Sequence, residues 1–246
     1  MSRTLSLLFA ILCYAVFFAA FLYLIGFVGD FAMFPTTVDH PPSSIPAGAA
    51  VATDIALIAL FGIQHSVMAR QGFKRAWTRI VPRPIERSIY VLLTSVALMV
   101  MYLFWQPIGA VVWSVRNPFA HDILNVLFWA GWGMVLVSTF LINHFELFGL
   151  QQAWLHARRR EWTPPAFRTP LFYKWVRHPI YVGFFLAFWA TPEMTAGHLL
   201  LAAGMSVYML IAIQYEERDL ISFHGRDYED YRGQVGMLVP RFRSRA

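Results

Sequence analysis

Six apolar stretches constrain this chain more than any other feature. They run at about residues 5–29, 49–69, 88–113, 123–143, 179–191 and 195–215. A helix needs roughly 20 apolar residues to cross the hydrocarbon core of a bilayer. The expected fold is therefore all-α, a polytopic integral membrane bundle with about six transmembrane stretches. Composition agrees, with 58% hydrophobic and only 14% charged residues and a mean hydropathy of +0.51, outside the range of soluble domains. The fifth stretch is short. Pro179 can begin a helix, Pro192 interrupts it and Gly197 follows soon after. The last two stretches are predicted to form a tight C-terminal helical hairpin whose first arm is short or tilted. The first stretch is too long for a signal peptide and follows a single Arg3.

The basic residues fix an orientation. With six crossings, 19 of the 20 Lys and Arg residues fall on one side. They sit at Arg3, between Arg70 and Arg87, between Arg158 and Arg177, and from Arg218 to the end, with Arg116 the exception. Cytoplasmic loops keep such residues, so both termini are expected in the cytoplasm. A count of five crossings would put the basic tail on the wrong side. The formal charge of +6 thus reflects lipid-facing topology, and no nucleic-acid partner is expected. Cys13 is the only cysteine, which excludes an intrachain disulfide and a cysteine-based metal cluster. No metal-ligand spacing such as His-x-x-x-His is present, and no Gly-rich phosphate loop. The chain reads as one membrane domain, 1–246, with cytoplasmic cap segments at 144–178 and 216–246.

Polar residues cluster where apolar stretches end. Arg177-His178-Pro179 precedes a helix start, where unpaired N–H groups favour an anion. The same residues would also serve as an interfacial anchor, with Arg177 reaching lipid phosphates. Glu216-Glu217 end the sixth stretch, and two carboxylates at a helix C-terminus oppose the dipole unless cations compensate, with Arg218, Arg177 or a bound cationic ligand as candidates. Successive helical residues point about 100° apart, so the pair should face different partners. Leu220 to His224 and Tyr228 to Tyr231 have helical spacing, as a pocket lid or an interfacial helix would. Gln64-His65-Ser66 closes the second stretch and Asn143-His144-Phe145-Glu146 the fourth, both on the side of Arg177. Ionisable groups at membrane depth are functional candidates, though hydrogen-bonded helix ends would look the same. Asp54 lies in the outer half of its segment, far from these clusters.

The run Arg177-His178-Pro179-x-Tyr181-x-Gly183, a hairpin, Glu216-Glu217-x-x-Leu220, then Gly225-x-x-Tyr228-x-x-Tyr231-x-x-x-Val235-x-x-x-x-Pro240 resembles the isoprenylcysteine carboxyl methyltransferase-like family. His224 departs from it, standing where that family usually has Phe. Upstream, Gln64 to Arg70, Asn143 to Leu150 and Val235 to Pro240 resemble the bacterial methanethiol S-methyltransferases. The resemblance implies an S-adenosylmethionine-dependent membrane enzyme that methylates a small thiol, methanethiol, to dimethyl sulfide. It implies that Tyr173, Arg177, His178, Tyr181, Glu216 and Glu217 line the cofactor site. A methionine carboxylate would suit Arg177, and its ammonium a glutamate. A thiol ionises poorly at neutral pH, with cysteine at about 8.5 as reference. His144 or His65 is the expected proton acceptor, with Glu146 orienting a histidine. Other readings stay open at this point: carboxyl or lipid methylation within the same family, an NADPH-dependent membrane reductase, or a membrane protein without catalysis.

Overall fold

The computed structural model describes residues 2–163 and 167–241. Arg243 and Arg245 of the basic tail, and residues 164–166 of the expected cap, lie outside the described residues. Among the described residues, five helices are long and apolar enough to cross a membrane: α1 (Arg3–Val28), α2 (Ala47–Ala69), α4 (Arg83–Phe104), α5 (Pro118–Ile142) and α9 (Ala196–His224). Between them lie α3 (Gln71–Trp77), β1 (Val111–Ser114), α6 (His144–Leu147), α7 (Leu150–Ala157), α8 (Pro179–Trp189) and β2 (Glu193–Thr195); α10 (Arg226–Gln234) follows α9. The molecule is a multi-pass helical membrane protein. Leu12, Ile63, Leu103, Val126 and Val207 are exposed on its long helices, facing where lipid would lie.

Local chemistry sets the helix ends. Ser2, Asn117 and Thr195 cap α1, α5 and α9 by accepting hydrogen bonds from the N–H of Leu5, Ala120 and His198. Pro118 and Pro179 occupy the first position of α5 and α8, where no helical N–H is needed. The third apolar stretch stops being helical earlier than its hydropathy suggests. Pro107 disfavours helix at the residue before it, so α4 ends at Phe104 and Val111–Ser114 becomes a strand.

The fifth stretch is short, as expected. At 11 residues, α8 is roughly 16 Å long, about half of the roughly 30 Å hydrocarbon core. The chain then runs extended into β2, which pairs antiparallel with β1 through Val111↔Thr195 and Ser114↔Glu193. A short helix needs a close partner, and α8 finds one in α5. Gly131 and Gly183 face each other there. A Cβ on Gly131 would meet the Gly183 carbonyl oxygen at 2.6 Å and the Ala187 nitrogen at 2.7 Å. The central core joins Phe27, Met101, Tyr102, Trp132, Phe188, Leu201 and Met209 across α1, α4, α5, α8 and α9.

The sixth stretch differs from its sequence reading. Its helix does not stop at Glu216 but continues to His224, ending at Gly225 with φ 56°. Glu216 and Glu217 therefore lie within a helix, nearly two turns from its end, and the dipole penalty expected for them is small. Gly225 also separates Leu220 and His224 from Tyr228 and Tyr231, which sit on α10.

Candidate active site

The end of α2, the end of α5, the last turns of α9 and the starts of α4 and α8 meet at one end of the bundle. Arg70 pairs with Asp219 at 3.3 Å, and Arg87 Nε donates to the Leu147 carbonyl at 2.7 Å. Within this end, Arg177 and Glu217 are fastened together. Arg177 Nε donates to Glu217 Oε1 at 2.7 Å. Its Nη1 donates to the carbonyls of Val235 and Arg232. The Arg177 and His178 N–H groups donate to the carbonyls of Gly236 and Met237 at 2.8 and 3.2 Å. Glu217 also receives His178 Nε2 at 3.1 Å and Arg232 Nε at 3.3 Å. Arg177, His178 and Glu217 are all buried. A buried charge pair persists only with such complete hydrogen bonding.

The two glutamates divide as their helical spacing predicts. Glu217 turns inward to Arg177. Glu216 is 45% exposed at its side chain, with His178 Nδ1 3.9 Å away. It lines a cavity of about 960 Å³, which Glu217 does not. Tyr173, Arg177, His178 and Tyr181 line the same cavity, as do His65 and His144. Six of the sequence-derived site residues beside Glu216 thus reach one space. Arg177 reaches it with most of its donors already used, which differs from its expected role as a carboxylate ligand.

Tyr173 and Tyr231 close one side, the Tyr231 hydroxyl donating to the Tyr173 carbonyl. Burial pushes the Tyr231 hydroxyl up to about 12. Burial, with Glu216 nearby, raises Tyr173 as well, so both stay protonated. The Tyr228 hydroxyl is buried in the cavity wall without a hydrogen-bond partner among the described residues. His224 also lines the cavity and lies against Phe167, ring centroids 5.2 Å apart.

His144 is aimed by the residue before it. Asn143 caps α5 in a left-handed conformation, φ 98°, tolerated by Asn. The chain reverses there and points His144 at α1. His144 Nε2 lies 2.7 Å from the Tyr14 hydroxyl and Nδ1 2.8 Å from Thr139 Oγ1. The Thr139 hydroxyl gives its own proton to the Leu136 carbonyl at 2.7 Å. It must therefore accept from His144 Nδ1–H, which leaves Nε2 to accept from Tyr14. Burial lowers the His144 pKa and keeps the ring neutral at neutral pH.

Glu146 does not take its expected place. Its carboxylate accepts from Asn143 Nδ2 at 2.9 Å, it is absent from the cavity wall, and Thr139 orients His144 instead. The short turn of α6 points Glu146 back at its own cap residue, and burial raises its pKa. His65, on α2, lines the same cavity. Its Nε2 lies 2.8 Å from the Tyr90 hydroxyl and its Nδ1 3.2 Å from Thr94 Oγ1. Tyr14, Tyr90, Thr94 and Thr139 all lie inside apolar helices, where no local sequence signal separates a histidine partner from a packing residue.

Comparison with known proteins decides the family. A methanethiol S-methyltransferase from Mycobacterium tuberculosis is 55% identical over 240 residues, which cover 98% of each chain. One of the same name from Crocosphaera subtropica is 49% identical over 240 residues, 98% of this chain and 93% of the relative. The chain belongs to the methanethiol S-methyltransferase family. It is accordingly a methyltransferase of the membrane, working with a methyl donor. Nurim from Pan troglodytes is 31% identical over 185 residues, 70% of this chain and 68% of the relative. That more distant likeness fits the isoprenylcysteine carboxyl methyltransferase-like resemblance of the C-terminal region. No family model matches the chain, and no solved structure matches it.

Proposed function

We propose that the protein transfers a methyl group from S-adenosylmethionine to methanethiol, giving dimethyl sulfide. The near-full-length likeness to methanethiol S-methyltransferases carries this reading. The cavity supports it. Glu216 and the aromatic faces of Tyr173, Tyr181 and Tyr228 suit a cationic donor. The unpartnered Tyr228 hydroxyl offers a buried hydrogen bond to a ligand. Arg168 and Lys74 line the same cavity and form no ion pair among the described residues, so they suit the donor carboxylate. Arg177 and Glu217 act as a brace that fixes His178 and the start of α8. S-adenosylmethionine, when bound, supplies an electrophilic methyl group on a sulfonium. The chain's own work is to hold Glu216 against positive charge, to keep water out with aromatic walls and to take the thiol proton. His65 and His144 remain the proton-accepting candidates, both on the cavity wall.

The site belongs to a single membrane domain whose segments 144–178 and 216–246 form a cap in the cytoplasm, beneath the inner membrane. Both termini share that side. Reporter fusions after Ala246 and near Gly72 should read cytoplasmic, and a fusion near Ser43 periplasmic. The enzymatic test uses purified protein, methyl-labelled S-adenosylmethionine and a panel of methanethiol, prenylcysteines and lipids. Labelled dimethyl sulfide in the headspace is the expected product. Label on a prenylcysteine or lipid with none in dimethyl sulfide would replace methanethiol as the substrate.

A further inference from the structure

The two histidines are not equivalent, and the difference singles out a residue that carries no role above. Each has both ring nitrogens engaged by hydroxyls, so neither meets a thiol in the cavity with a free lone pair. What decides between them is where the hydroxyl partner stands. Tyr14, on His144 Nε2, is not part of the cavity wall. Tyr90, on His65 Nε2 at 2.8 Å, is part of it, together with Thr94 and Glu216. Tyr90 is 5% exposed. The Arg87 guanidinium lies 4.7 Å from its ring centroid and limits its movement. His65 is held in turn by Thr94 at Nδ1 and by Phe61, whose ring stacks on it at 5.4 Å. With Nδ1–H on Thr94, Nε2 accepts the Tyr90 proton, and the oxygen of Tyr90 keeps lone pairs for a donor in the cavity.

We propose that Tyr90 is the catalytic residue that receives the thiol proton, and that His65 is the proton's final acceptor behind it. This rests on the thiol methylation proposed above. As the thiol S–H bond breaks, its proton passes to Tyr90 Oη while the Tyr90 proton passes to His65 Nε2. The sulfur lone pair forms the new S–CH₃ bond. The C–S bond of the sulfonium breaks, and its electron pair stays on the leaving sulfur as a neutral thioether. Tyr90 ends as it began, and His65 ends as an imidazolium. The sulfonium loses its positive charge in the same event, so the net charge of the closed site does not change. The loss of the sulfonium charge offsets part of the repulsion that a cation on His65 meets from Arg70 and Arg87. The charged groups around the pair are Arg70 at the end of α2, Glu86 and Arg87 on α4, and Glu216 on α9. The Tyr181 and Tyr208 hydroxyls from α8 and α9 complete the surroundings.

Tyr90→Phe removes the hydroxyl and keeps the ring. At neutral pH the variant should lose about 10²–10⁴-fold in dimethyl sulfide formation. The rate should recover as pH rises through the ionisation of the thiol. Methaneselenol, a far stronger acid that arrives already ionised, should be methylated by Tyr90→Phe at close to the wild-type rate. Stabilisation of the variant by S-adenosylhomocysteine, read as a thermal shift, should match wild type. An unchanged neutral-pH rate with methanethiol would overturn the relay. Equal losses with thiol and selenol, or loss of the S-adenosylhomocysteine shift, would overturn it too, since they mark Tyr90 as packing or donor site. A wild-type protein that makes no dimethyl sulfide refutes the thiol reaction and the relay together. A working wild type with an indifferent Tyr90→Phe refutes the relay alone.

Discussion

The two ends of this bundle bury polar groups in opposite ways. At the far end, the buried hydrogen bonds serve closure, although Asp54 Oδ2 has no partner among the described residues. Asp54 accepts from the Gln106 N–H at 2.8 Å, Trp105 Nε1 donates to the Val38 carbonyl at 3.1 Å, and Thr195 donates to Asp39. These bonds pull the 29–46 loop and β2 onto the core. At the near end, buried charges are also bonded, as Arg177 and Glu217 show, but they frame a cavity of about 960 Å³. There the neighbouring Glu216, Tyr228 and the Tyr90 oxygen keep capacity for a ligand. Burial of charge is thus no mark of function by itself. The mark is a bonded pair set directly beside polar groups that are left available.

Breaking the bonded pair should give the largest effect. Glu217→Ala strands Arg177 as an uncompensated buried cation, which typically costs about 3–5 kcal/mol. The loss should appear as a large drop in thermal midpoint. A wild-type midpoint would show that Arg177 finds other partners and that the brace is dispensable. Next in size is a change at the far end. Asp54→Ala leaves the Gln106 N–H without its acceptor, at about 1–3 kcal/mol. Methylation per folded molecule should stay at the wild-type level. A loss of turnover without unfolding would mean that the two ends are coupled.

How legible each end was follows from the same contrast. Hydropathy and proline placement were enough for the long helices and for the short α8, because lipid leaves a chain few alternatives. They overran at Val111–Ser114, where β-branched apolar residues serve a strand as well as a helix. Near the cavity, the 100° step between Glu216 and Glu217 was readable from helical geometry alone. Arg177 was a candidate partner for the glutamates, but which glutamate it would take, and that the Val235 carbonyl would also hold it, were not readable, since these partners come from α9 and the segment after α10. The histidines were visible as polar residues closing apolar stretches. Their hydroxyl partners, Tyr14 and Tyr90, were not, because a tyrosine inside a membrane helix looks like packing until the fold places it.

The smallest expected effect concerns His144. Burial holds its pKa below the ordinary value of about 6.5. As pH falls, the unfolded chain takes up this proton first, so folded stability declines below about pH 6.5 until the folded ring protonates as well. His144→Gln should flatten that part of the stability–pH curve. An unaltered curve would assign the acid sensitivity elsewhere.

The division of labour between Glu217 and Glu216 is tested most directly by ligand-induced stabilisation. S-adenosylhomocysteine binds the folded state and should raise the thermal midpoint of the wild-type protein. Glu216→Gln should keep the unliganded midpoint, because this side chain is half exposed, yet lose most of the shift. Stabilisation by NADPH with no response to S-adenosylhomocysteine, or a full shift in Glu216→Gln, would contradict the assignment of this end of the bundle to a cationic methyl donor.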